Sequence, residues 1–193
     1  MVNAPDPKSP IRIITPTRHG DSRGWFMESW REDRLAEVGI DCRFVQDNHS
    51  FSAAVGTLRG VHFQTPPHAQ AKLIRCTRGA VIDIAVDLRR GSPSYGQHVS
   101  VELSAENGRQ IFIPEGFGHG FVTTAPDSEL LYKCSTYYAP EADAGLRWDC
   151  PDLGIDWGLG GQEPILSDRD RRLPCLAEFD SPFTYDGSPL LPI

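Results

Sequence analysis

Short runs of branched and aromatic residues, each closed by Gly, Pro, Asn or Ser, recur along most of the chain. They cover Ile11–Thr15, Cys42–Asn48, Thr57–Gln64, Lys72–Arg78, Ala80–Leu88, His98–Leu103, Gln110–Ile113, Gly120–Thr123 and Glu129–Tyr137. Such spacing is the pattern of a β-sandwich or barrel, in which each strand is too short to stand without neighbours. VIDIAVDLR alternates as a strand with two distinct faces does. HGDSRGWFMESW reads as a turn and an aromatic-rich strand, and WREDRLAEV (Trp30–Val38) is the one good helical stretch, with Leu35 and Val38 on one face. After Pro140 the pattern dissolves into Pro-, Gly- and Asp-rich sequence. Residues 140–193 therefore read as an arm packed on a single 1–193 domain, anchored by Ile155, Trp157 and Leu166.

Composition narrows the function classes. A formal charge of −7 argues against a nucleic-acid binder, whose footprint is basic. It leaves room for an anionic small ligand, because a local arginine cluster overrides net charge. No run approaches the roughly 20 apolar residues that cross a bilayer, and MVNAPDPKSP lacks the apolar core of a signal peptide, so a cytoplasmic protein without a membrane partner is expected. The five cysteines (Cys42, Cys76, Cys134, Cys150, Cys175) are scattered with no CxxC pair. Free thiols in a reducing compartment are the simpler expectation.

Polar residues then stand where strands should be apolar: Arg59 and His62 in GTLRGVHFQ, Lys72 in QAKLIRC, His119 in IPEGFGHGF and Tyr132 in LLYKC. Each has a bland reading. A strand histidine is more often structural than catalytic, an edge lysine guards a sheet from pairing, and a tyrosine fills a core with its hydroxyl at the rim. Several such residues on neighbouring strands of one small barrel favour a ligand cavity instead. Arg59 and His62 are an odd step apart, which alternation places on opposite faces. Both reach one cavity only if the strand twists or bulges, and Gly60 is the residue that permits it.

PEGFGHGF resembles the second motif of the cupin superfamily, whose barrels often bind metal. The paired His-x-His is absent, since Phe63 and Gln64 follow His62. His62 and His119 fall short of the three or four ligands a metal needs, so no metal is expected. A histidine in such a site then serves as acid, base or anion donor.

DSRGWFMES, QDNHSFS, GTLRGVHFQTPPHAQAKL, DLRRGSPSYG, IPEGFGHGF, LYKCSTYYAPE and PILSDRD, in this order, resemble the successive motifs of the dTDP-4-dehydrorhamnose 3,5-epimerase family. The resemblance spans about Ile11 to Pro174. It implies an all-β, double-stranded β-helix (jelly-roll, cupin-like) barrel with short peripheral helices, a homodimer, and no metal or organic cofactor. It also implies epimerisation of a dTDP-4-keto-6-deoxyhexose at C3 and C5 for L-rhamnose biosynthesis.

By that resemblance His62 is the general base and Asp170 the acid that holds its imidazole. Lys72 stabilises the enolate and Tyr132 delivers a proton from the other face. Unperturbed histidine titrates near neutral pH, as a base for a carbon acid must, and a preorganised charge lowers the cost of the enolate. Arg23 and Arg59 match the diphosphate ligands, with His119 a further donor. Phe26 and Tyr138 would stack on thymine, while Glu28 and Gln46–Asn48 bond base or sugar. Asp143 and Arg169 stand where the family usually has Glu and Lys, and Gly118 where Ala is common. Against these, Arg23 could be a solvated turn charge, Glu28 an exposed strand residue and Phe26 plain core. The DLRRGSP run reads as structural, and Arg89, Arg90, His49 and His68 lie outside the expected site. A mono-epimerase, a 3,4-ketoisomerase and a non-catalytic nucleotide-sugar binder remain as alternatives. A swapped N-terminal strand would place Arg23 and Phe26 in the neighbouring subunit's site.

Overall fold

The computed structural model describes residues 9–191, so MVNAPDPK and the last two residues lie outside the described part. Its strands are β1 (Arg12–Ile14), β2 (Arg18–Asp21), β3 (Gly24–Met27), β4 (Gln46–Ser52), β5 (Leu58–Gln64), β6 (Lys72–Arg78) and β7 (Ala80–Asp87). They continue with β8 (His98–Ser104), β9 (Gln110–Ile113), β10 (Phe117–Thr123), β11 (Ser128–Cys134) and β12 (Asp143–Gly145). One α-helix, α1 (Glu32–Glu37), and three single 3₁₀ turns complete the elements. Two five-stranded antiparallel sheets, β1-β9-β6-β11-β4 and β12-β5-β10-β7-β8, make up a cupin-like jelly roll, and β2 and β3 pair as a separate hairpin.

The alternation in VIDIAVDL explains how the layers stack. Val81 and Ala85 face the other sheet and meet Ile74, Ile111, Phe117, Phe121 and Leu130. Ile84 and Val86 face outward, yet they too are buried, beneath Leu146, Leu153 and Trp157 of the segment after Pro140. That segment covers one sheet, and it also extends it, since Asp143–Gly145 pairs with β5 opposite Gln64 to His62. On the other sheet Leu35 and Ile40 pack over Ile14, Leu73 and Phe112.

Three expectations are corrected. The strand expected over Cys42–Asn48 forms over Gln46–Ser52 instead, because its inner face is polar and lines a cleft instead of filling core. The last strands also differ, since Phe117–His119 joins β10 and Asp143–Gly145 adds a strand not expected. Finally, Cys150 and Cys175 are joined as a disulfide, with Cα atoms 5.3 Å apart, so the free-thiol expectation fails for these two. Cys42, Cys76 and Cys134 are free thiols. Folding brings Cys150 and Cys175 together over 25 residues of separation, which no local spacing rule reports.

Candidate active site

At one end of the space between the sheets lies a cleft of about 560 Å³. Its polar lining follows from strand parity. On β6, Ile74 and Cys76 point into the shared core, and Lys72 continues that face. On β11, Leu130 points inward and so does Tyr132 two residues on. Tyr132 lies opposite Asn48 and Cys134 opposite Gln46, so the even positions of β4 face the same way. On β10, His119 sits between the inward Phe117 and Phe121.

β5 breaks its own alternation. His119 pairs with His62 and Phe121 with Arg59, so two residues of β5 oppose the single Gly120. This bulge restores the phase, and Arg59 and His62 both line the cleft. Gly60 sits at the bulge with φ +132, a conformation that glycine adopts readily.

The closest polar contact in the cleft joins His62 Nε2 to Asp170 Oδ1 at 2.5 Å. Asp170 is 2% exposed. Its other oxygen accepts the Ser167 hydroxyl at 2.9 Å. Burial by itself raises the Asp170 carboxyl. The bonds from His62 and Ser167, with the nearby Arg169 charge, outweigh burial and hold it below the ordinary carboxylate range. An ionised carboxylate on Nε2 requires the proton there, leaving Nδ1 as the basic nitrogen.

Lys72 is buried in the central strand of its sheet, so the edge-charge reading does not hold. Burial pushes its ammonium down, against the pull of Cys134, Asp83 and Asp143. Its Nζ lies 3.5 Å from the His62 carbonyl oxygen. His119 is also buried, which lowers its pKa even though Asp83 Oδ2 lies 2.9 Å from its Nε2. Asp83 has no exposure, and its Oδ1 has no hydrogen-bond partner. Burial, with Cys134 nearby, pushes the Tyr132 phenol up, so it holds its proton at neutral pH.

The mouth of the cleft is a chain of polar contacts. Tyr138, 56% exposed, donates its hydroxyl to Asp143 at 3.3 Å. Arg169 holds the other Asp143 oxygen at 2.8 Å. The Tyr138 N–H donates to Gln46 Oε1, and Gln46 Nε2 donates to Asn48 Oδ1. The shorter Asp143 and longer Arg169 thus still meet as an ion pair. Arg59 donates to the Phe51 carbonyl at 3.1 Å from the cleft wall.

The cleft therefore brings together His62, Asp170, Lys72, Tyr132, His119, Arg59, Gln46, Asn48, Tyr138, Asp143 and Arg169. It does not bring in Arg23, Phe26 or Glu28. Arg23 caps the β2–β3 hairpin and bonds Asp21 at 2.6 Å, Phe26 is 71% exposed, and Glu28 pairs with Arg31. Sequence reasoning missed Ser167 and Asp83. Ser167 could have been found as the small polar residue three before Asp170, a spacing suited to a local side-chain bond.

Such a cleft can deprotonate a carbon acid at His62, stabilise the resulting anion with Lys72, and reprotonate it from Tyr132. The sequence profile of the dTDP-4-dehydrorhamnose 3,5-epimerase family matches residues 9–178. A dTDP-4-dehydrorhamnose 3,5-epimerase of Sinorhizobium fredii is 48% identical over 91% of this chain and 89% of its own. The crystal structure of a dTDP-6-deoxy-D-glucose-3,5-epimerase from Legionella pneumophila, in complex with dTDP-4-keto-L-rhamnose, has 43% identity and a TM-score of 0.87. It covers 92% of this chain and 94% of that one. A 3′-monoepimerase from Streptomyces bikiniensis in complex with dTDP-quinovose has 38% identity and a TM-score of 0.81, over 86% and 84% of the two chains.

Proposed function

Given that this chain belongs to the dTDP-4-dehydrorhamnose 3,5-epimerase family, we propose that it is an isomerase converting dTDP-4-dehydro-6-deoxy-D-glucose to dTDP-4-dehydro-L-rhamnose. The observation that carries the reading is the His62–Asp170 pair facing Tyr132 and Lys72 across one cleft. The ketone at C4 acidifies the protons on C3 and C5. His62 Nδ1 takes one of them, and Asp170 holds the imidazolium formed. Lys72 is placed to stabilise the enolate oxygen. Tyr132, whose phenol keeps its proton, returns one to the opposite face of the carbon. Once solvent has taken the proton from His62 and returned one to Tyr132, the same two transfers at the second carbon complete the inversion.

Arg59 and His119 are assigned to the diphosphate, where an arginine fork suits phosphate oxygens. Tyr138 is assigned to stacking on thymine, with Gln46, Asn48, Asp143 and Arg169 bonding base and sugar. We further infer a homodimer in which the β2–β3 hairpin of one copy supplies Arg23, Phe26 and Glu28 to the other's cleft. The exposure of Phe26, 71% on a hairpin that pairs with neither five-stranded sheet, supports this, since a large apolar side chain left in water gains by being covered. We read the whole chain as one domain, because Leu146, Leu153 and Trp157 share a cluster with β5. Among the described residues no helix is long and apolar enough to cross a membrane.

Incubation with dTDP-4-dehydro-6-deoxy-D-glucose in deuterated water tests the reading. Deuterium is expected at both C3 and C5 of the product. Label at one carbon would make the chain a mono-epimerase, and none at either would remove the epimerase reading.

A further inference from the structure

We propose that Ser167 is a positioning residue for proton abstraction, its hydroxyl fixing the carboxylate that in turn holds the imidazole of His62. The inference rests on the reading of His62 as the base and adds a member to that pair. Ser167 makes two bonds to one residue. Its Oγ accepts the backbone N–H of Asp170 at 3.1 Å and donates to Asp170 Oδ2 at 2.9 Å. A hydroxyl has one proton, and with a lone pair already engaged by that N–H its proton is aimed at the carboxylate. Asp170 Oδ1 is left for His62.

Rotation about the last torsion of an aspartate is soft and broad. A carboxylate held only through Oδ1 can turn and carry that oxygen off the line of the imidazole N–H. Bonded at both oxygens and at its own backbone N–H, Asp170 keeps one orientation. The local chain is built for this: Ser167 to Asp170 is a tight turn leading into a 3₁₀ segment, with Arg172 N–H donating to the Arg169 carbonyl at 2.9 Å. Ser167 is exposed toward the cleft while Asp170 is buried behind it. The hydroxyl therefore also stands between cleft water and the second carboxylate oxygen. Because Ser167 is exposed, truncating it removes no core packing.

The test compares Ser167→Ala, Ser167→Thr and His62→Ala in the full chain, with deuterium incorporation as the rate and dTDP binding as the control. Ser167→Ala is expected to lower kcat about tenfold, the effect of losing one hydrogen bond to a charged group, with dTDP affinity and KM unchanged. Its kcat/KM–pH profile should keep its shape but move along the pH axis, since the carboxylate facing the imidazole loses both a hydrogen-bond donor and its fixed orientation. Ser167→Thr should restore both rate and profile. An alanine variant with wild-type kcat and profile would overturn the inference. So would loss of dTDP affinity together with rate, which marks a merely structural role. If His62→Ala itself exchanges normally, the base assignment fails and Ser167 with it. If His62→Ala is dead and Ser167→Ala is normal, only the Ser167 inference falls.

Discussion

Gly60 and Gly120 meet backbone to backbone where β5 bulges against β10. A Cβ built on Gly60 would run into the Gly120 Cα and lie 2.9 Å from the His119 carbonyl oxygen. This contact sets the phase by which Arg59 and His62 face one cleft. Gly60→Ala adds both the clash and a positive-φ side chain, a conformation that alone costs on the order of 1–3 kcal/mol. The expected result is a thermal midpoint lowered by several degrees and an exchange rate that falls further than the loss of folded protein explains. Gly120→Ala should be milder, because its φ is not positive and its Cβ would stand 3.0 Å from the tip of Trp157, 3.2 Å from the Arg59 carbonyl oxygen and 3.3 Å from the Gly60 Cα, none as close as a Gly60 Cβ would come to the Gly120 Cα. Equal effects of the two substitutions would show that the bulge does not set the phase.

Away from the cleft, Asp87 is fully buried and accepts bonds from the Arg89 guanidinium at 2.8 and 2.9 Å, Ser92 at 2.7 Å and Ser94 at 2.8 Å. Burial raises its carboxyl, and these bonds bring it below the ordinary value. A depressed folded pKa stabilises the fold above the unfolded value near 3.9, and that stability is lost as pH falls through the folded one. Urea midpoints should therefore drop between pH 5 and pH 2. Asp87→Asn should cost on the order of 3 kcal/mol at pH 7, by leaving the buried Arg89 guanidinium with Asp186 as its remaining acid partner, and should flatten the drop. A variant with the same pH dependence as the parent would exclude Asp87 as a source of it.

The disulfide between Cys150 and Cys175 closes the segment that carries Ile165, Leu166, Ser167, Arg169 and Asp170 to the cleft. This segment has little regular structure; its backbone bonds to the barrel include Leu58 N–H to the Ile165 carbonyl and Arg147 N–H to the Pro174 carbonyl. A closed loop of 25 residues is worth about 3.5 kcal/mol in a chain-entropy account. Reduction, or the Cys150→Ser and Cys175→Ser double change, should lower the thermal midpoint while the folded enzyme stays active below it. An unchanged midpoint on reduction would show that the crosslink carries no stability.

The strands were legible because branched residues alternate with turn formers, and the inward positions of Lys72, Tyr132 and His62 were legible as polar residues where core belonged. Asp83 was not. In VIDIAVDL an acid reads as solvent-facing, but both faces of β7 are covered and this one points at His119. β12 escaped because Asp143–Gly145 has no strand propensity and pairs only because β5 offers an edge. The shift of β4 has the same origin as the site itself, since Ser50 looks like a loop residue until a cleft needs it to continue the polar wall begun by Gln46 and Asn48.

The placement of Arg23 yields the sharpest test of assembly. In one copy it stands on the exposed hairpin, outside the cleft that holds His62. If it serves the neighbour's cleft, Arg23→Ala should raise KM tenfold or more, about the effect of one charge-assisted bond to phosphate, and His62→Ala should abolish exchange. Mixed and co-refolded, the two weak variants should then recover about a quarter of wild-type sites at low substrate. Half the dimers are hybrids, and in each hybrid one cleft combines an intact His62 with the partner's intact Arg23. Recovery should vanish on dilution to monomer. Mixing that yields no more than the sum of the separate variants would place Arg23 in its own chain's chemistry or in none.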